Sequence, residues 1–136
     1  MAIYTSRYSN PELKSGNYTT VRISVDSPKG SLGYIIDGDI PDLMPFGLRG
    51  EEYDKDKALF KREYFARLEK AGVAKIQTLL LSFKAKGKDV VLLCYEDIRK
   101  GDNYWCHRVM FAEWWLSKTG EHILELADTT TPVVGK

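Results

Sequence analysis

Apolar and polar residues alternate through Thr20-Val21-Arg22-Ile23-Ser24-Val25, the pattern of a half-buried strand, and the short β-prone stretch Ile3-Tyr4-Thr5-Ser6 reads as another. Asp89 to Tyr95 carries an unbroken Val-Val-Leu-Leu run, as expected of a central strand covered on both faces in a parallel sheet. His122 to Leu126 supplies a last strand. Elsewhere the period lengthens. Phe60, Tyr64 and Leu68 recur every four residues beside Leu59 and Phe65, which predicts a helix that Asp54 can cap and that runs to about Lys70. Gly72 breaks it, and Val73, Ile76, Leu80 and Phe83 mark a second helix ending before Gly87. Met110, Phe111, Trp114 and Trp115 form one stripe of a third helix, Cys106 to Lys118, closed by Thr119-Gly120. That stripe reads as core. Asn10-Pro11 opens a short helical turn before Gly16.

Between Ser27 and Gly50 the chain carries Pro28, Gly30, Gly33, Gly38, Pro41, Pro45, Gly47 and Gly50, a density of breakers that forbids long regular elements. The same stretch holds Leu32, Tyr34, Ile35, Ile36, Leu43, Met44, Phe46 and Leu48, too many apolar groups for a solvated linker. It is expected to pack over the site as a lid or wall. Strands interleaved with helices predict a single α/β sandwich over residues 1–128, with a largely parallel central sheet flanked by helices, followed by a fraying tail at 129–136.

Composition narrows the class. A chain of 136 residues, 43% hydrophobic and 29% charged, is the length of one domain with one ordinary core, and no compositional bias marks it as disordered or repetitive. A net charge of +1 supplies no global field toward duplex nucleic acid or an anionic membrane. The apolar runs are far shorter than the ~20 residues a membrane helix needs. Met1-Ala2-Ile3-Tyr4 has no basic-then-apolar leader, so a cytoplasmic location is expected. In that reducing setting Cys94 and Cys106 should be free thiols, with Cys94 a small buried hydrophobe.

Candidate chemistry gathers at two junctions: the strand end Cys94-Tyr95-Glu96-Asp97, and Cys106-His107-Arg108 opening a helix. In open α/β sheets ligands lie outside the carboxyl ends of the strands, where helix N-termini also point. A helix start favours anions through unpaired N–H groups and partial positive charge, and Arg108 adds a bidentate donor. Arg22, inside a β-prone strand, needs a partner such as Glu96 or a ligand phosphate. The candidate catalytic groups are Glu96, Cys106 and His107. Because adjacent helical residues point about 100° apart, at most one of Cys106 and His107 should meet a given ligand atom. Cys94, Glu96, Cys106 and His107 are all metal-ligand types, but the paired spacing of structural zinc sites is absent, so no metal or other cofactor is expected. The common nucleotidase, dehydrogenase, hydrolase and metalloprotease signatures are missing too.

These segments resemble the domain of unknown function 488 family. Its pattern has an N-terminal strand with a small-residue turn, here Ile3-Tyr4-Thr5-Ser6-Arg7-Tyr8-Ser9. It continues with a Val-Arg strand leading to Pro, here Thr20 to Val25 with Pro28, and a terminal Cys-x-Glu and Cys-His-Arg block, here Cys94-Tyr95-Glu96 and Cys106-His107-Arg108. Thr20 stands where the family often carries an acidic residue. The resemblance implies an α/β fold with a shared polar site, adds Ser6, Arg7 and Pro28 to Arg22 and Arg108 as ligand-binding positions, and suggests an association with nucleotide or nucleic-acid metabolism and with phage or defence genes. Residues and resemblance together lead to the expectation of a nucleotide-like anionic small molecule as partner, with nucleic acid less favoured. The alternative is an enzyme on such a substrate using Cys106, His107 or Glu96.

Overall fold

The computed structural model describes residues 2–132. Five strands, β1 (Ile3–Arg7), β2 (Tyr18–Arg22), β3 (Gly38–Asp39), β4 (Asp89–Cys94) and β5 (Leu124–Glu125), form one sheet in the order β3-β2-β4-β1-β5. Every pairing is parallel. The helices are α1 (Glu51–Asp54), α2 (Lys57–Ala71), α3 (Val73–Lys84) and α4 (His107–Thr119). This is the α/β architecture expected, with the apolar run of β4 as its central strand.

Pleating sorts β4 between two cores. Val90 and Leu92 face the large cluster built from Phe60, Tyr64 and Leu68 of α2, Ile76 and Leu80 of α3, and Met110, Phe111, Trp114 and Trp115 of α4. Val91 and Leu93 face the opposite way, against Tyr8, Leu13 and Leu126, with Leu32, Tyr34 and Ile36 packed alongside. One face of the sheet is thus covered by helices, and the other by a 3-10 turn and irregular chain. Most of the Ser27–Gly50 stretch therefore packs against the sheet and helices, and Pro45 is the part of it that walls a cleft at the β4 end. The first half of the stretch covers the second face, tied down by the Tyr34 hydroxyl donating to the Tyr8 carbonyl at 2.6 Å. Ile40, Leu43 and Leu48 join the helical core.

Several boundaries shift from those read in the sequence. Helix α2 starts at Lys57, because Asp56, whose Oδ1 accepts from the Leu59 amide at 3.0 Å, caps it. Asp54 ends the single turn α1 instead; either aspartate has the side chain for a cap. Strand β2 stops at Arg22, and β5 keeps only Leu124 and Glu125 of the expected His122–Leu126. Gly38 is required where β3 passes under α3: a Cβ there would stand 2.6 Å from the Phe83 ring. The start of the supposed tail is anchored, since Asp128 and Thr130 receive hydrogen bonds from Arg7; residues 133–136 of that tail lie outside the described residues. Among the described residues no helix is long and apolar enough to cross a membrane.

Candidate functional site

Strand β4 ends at Cys94, and the chain leaves through exposed Tyr95 and Glu96. Asp97 turns it by capping a 3-10 turn, its Oδ1 accepting from the Arg99 amide at 3.1 Å. After Gly101 and a second 3-10 turn the chain re-enters at Cys106, the N-cap of α4. Cys106 is extended (φ −140°, ψ 146°), and no side chain caps the helix. This crossover brings the carboxyl end of the central strand and the start of α4 together. They line a cleft of about 320 Å³ whose other walls include Phe60, Trp105, Asn103, Asp54 and Pro45.

Glu96, Cys106 and His107 converge on this cleft. Cys94, read as a packing residue, belongs there too, its Sγ brought against that of Cys106. The two thiols, expected to stand apart, form a close pair: the crossover seats the two residues side by side although 12 positions separate them. The expectation that Cys106 and His107 diverge also fails. The 100° rule holds for consecutive helical residues, whereas Cys106 is extended and His107 is the first helical residue. Cys106 Sγ consequently lies 3.8 Å from His107 Nδ1.

The imidazole is buried and edge-on to Tyr64. Its Nε2 lies 2.6 Å from the Ile23 carbonyl, an acceptor, so Nε2 carries the hydrogen and Nδ1 keeps a lone pair toward the cysteines. Burial disfavours the imidazolium and brings the pKa down to about 4, the Ile23 carbonyl opposing and the Arg108 charge adding to the shift. At neutral pH the ring is uncharged. Cys94, Cys106 and His107 offer three buried ligand atoms within 4.8 Å of one another.

The arginines go elsewhere. Arg108 is fully buried, its Nε and Nη2 donating to Glu125 at 3.0 and 2.7 Å and its Nη1 to Cys94 Sγ at 3.4 Å. It pairs with Glu125 rather than with Glu96. Arg22 donates to the Val25 carbonyl at 2.9 Å and sits 3.4 Å from Asp39, outside the cleft, because β2 ends at that residue and its side chain folds back over the following turn. Arg7 is held by Asp128 at 2.6 Å and Thr130 at 2.9 Å. Ser6 is buried, bonded to the Arg7 carbonyl and Asn10. Pro28 is half-buried in irregular chain, and its exposed neighbours Ser27 and Lys29 line a separate hollow. None of these five contributes to the cleft lining.

Phe60, Asp54, Asn103 and Pro45 carried no motif signal. Only the position of α2 and of the 40s segment against the β4 end places them together. Compared with known proteins, the chain matches no family model, no curated protein and no solved structure.

Proposed function

We propose that the protein binds a nucleotide-like anionic small molecule in the cleft between the β4 end and the start of α4. The observation that carries this reading is the start of α4 opening onto the cleft with no side-chain cap, so the positive end of a 13-residue helix is turned to an incoming anion. Charged side chains in the lining are Asp54 and Glu96. Their carboxylates accept hydrogen bonds from hydroxyl or amino groups of a sugar or base, and the phosphate falls to the helix start. Trp105, packed edge-on to Phe60 with ring centroids 5.0 Å apart, offers a face for a planar base. The same meeting of Cys-Tyr-Glu with Cys-His-Arg supports placing the chain with the domain of unknown function 488 family, whose phage or defence association then extends to it.

Calorimetric titration with nucleoside mono- and diphosphates tests the reading. One member should saturate with unit stoichiometry, and Trp105→Ala should weaken it roughly tenfold, in line with the ~1–3 kcal/mol of base–aromatic stacking. No saturable binding across the panel defeats it. A second reading, turnover of such a ligand, is favoured by the 3.8 Å approach of Cys106 Sγ to His107 Nδ1 beside Glu96. It expects conversion of a bound nucleotide by reduced protein, lost in Cys106→Ser with affinity retained.

A further inference from the structure

We infer that the reduced protein holds one thiophilic divalent cation of the zinc class on Cys94 Sγ, Cys106 Sγ and His107 Nδ1, with a fourth coordination position open to the cleft. Three soft-to-borderline ligand atoms, all on buried residues, lie within 4.8 Å of one another, and they sit on a central strand end and a helix cap, where the fold rather than the ion positions them. The nitrogen is prepared. Nε2–H is committed to the Ile23 carbonyl at 2.6 Å, the carbonyl-to-imidazole support that metal-bound histidines use to fix tautomer and ring orientation. Nδ1 is left as a lone-pair donor 3.8 Å from Cys106 Sγ. On a tetrahedral zinc, with Zn–N of about 2.0–2.1 Å and Zn–S of about 2.3 Å, nitrogen and sulfur ligands stand about 3.6 Å apart.

The sulfurs fit the same geometry once reduced. Two thiolates on one tetrahedral zinc are separated by about 3.8 Å, a spacing that cysteines whose Cα atoms lie 7.3 Å apart reach by rotation of the side chains alone. Arg108 Nη1, 3.4 Å from Cys94 Sγ, favours the thiolate. Two thiolates and a dication sum to zero, so burial of the centre leaves no net charge. Both cysteines and His107 line the cleft together with Glu96, and three protein ligands with an open position is the composition of catalytic rather than structural zinc sites. The spacing test applied to the sequence fails here because it presumes ligands paired along the chain, whereas these pair across a parallel crossover.

Loading from a disulfide form of the pair requires a dithiol reductant. Two electrons pass from its thiols to the sulfur pair, the S–S bond breaks to give two cysteine thiols, and the reductant closes its own disulfide. Each cysteine thiol then releases one proton as its sulfur takes the metal.

The proposal stands apart from the nucleotide reading, and its test contains no nucleotide. The full chain, reduced and freed of reductant without air, is titrated with cobalt(II). The expected result is one equivalent bound, with the intense visible bands of tetrahedral cobalt and a thiolate charge-transfer band, all erased by zinc(II). The oxidised chain should show none of these. Cys94→Ser, Cys106→Ser and His107→Gln should each weaken binding more than about a hundredfold, beyond the 10–100-fold typical of losing a supporting group. Should those variants fail to fold, the wild-type chain decides alone: one equivalent of zinc should protect both cysteines from iodoacetamide. A weak octahedral spectrum, no stoichiometric binding by the reduced chain, or alkylation unaffected by zinc would overturn the assignment.

Discussion

The carboxyl edge of the sheet is built in two contrasting ways. Beneath the cleft, where β4 meets the start of α4, it is dry and nearly uncharged: His107 is kept neutral by burial, and the buried Arg108 is neutralised by Glu125. Beyond β1 and β5 it is a lattice of charges, in which Arg7 and Arg99 share Asp97 and Asp128. Hydrogen bonds from Arg99 draw the Asp97 carboxyl down. Burial alone would raise Asp128, but hydrogen bonds from Arg7 and Thr130 outweigh it and hold the group at about 2. Both halves contain residues that the motifs nominate for ligand binding. Only the first leaves lone pairs, sulfurs and a cleft uncommitted to internal partners, so in this fold a cation in a motif is as readily structural as functional.

Removing the buried arginine should have the largest effect. Arg108→Ala opens a large void beside Cys94 and strips Glu125 of its partner, and should cost about 3 kcal/mol or more in urea unfolding; Arg108→Ala behaving like a surface substitution would erase the contrast between the halves. The dry half should next show itself in acid. His107 titrates near 6.5 when unfolded and at about 4 when folded, so between those values the unfolded chain binds the extra proton and stability falls as pH falls. The full window amounts to about 3 kcal/mol, and His107→Gln should flatten the stability profile there.

A second acid limb belongs to the charged half. The Asp128 pKa is depressed from 3.8 to about 2, so its stabilisation is complete above 3.8 and disappears as pH drops toward 2. Salt sharpens the distinction, because molar salt should shrink this limb through screening while leaving the His107 window nearly intact. The smallest change is expected at Arg22, whose ion pair with half-exposed Asp39 spans 3.4 Å: Arg22→Ala should cost less than about 1 kcal/mol in the same unfolding assay and leave nucleotide affinity within twofold, a ceiling that a larger loss of either would breach.

Much of the fold was readable because it depends on local periodicity. The Val90–Leu93 run announces a strand buried on both faces, and the spacing of Phe60, Tyr64 and Leu68 announces a helix whose stripe must be covered. Part of the site was readable for the same reason: a strand end followed by a helix start converges at the carboxyl edge of any parallel sheet, which is how Glu96, Cys106 and His107 come to share a cleft. The partners were not readable. Arg108 could have met Glu96, Glu125 or a ligand, since each offers the same carboxylate or phosphate chemistry, and the choice rests on β5 lying beside β1 rather than at the opposite edge.

The chain's hydrophobic pattern alone therefore dictates the parallel α/β sandwich, its central strand and the neighbourhood of the cleft, since burial of periodic apolar faces admits few arrangements. Whether Cys94 is packing or chemistry, whether Cys106 and His107 face one point, and which arginines remain free depend on distances of a few ångströms between segments far apart in sequence. Strand order and the extended backbone at Cys106 set those distances, and local pattern carries no record of either.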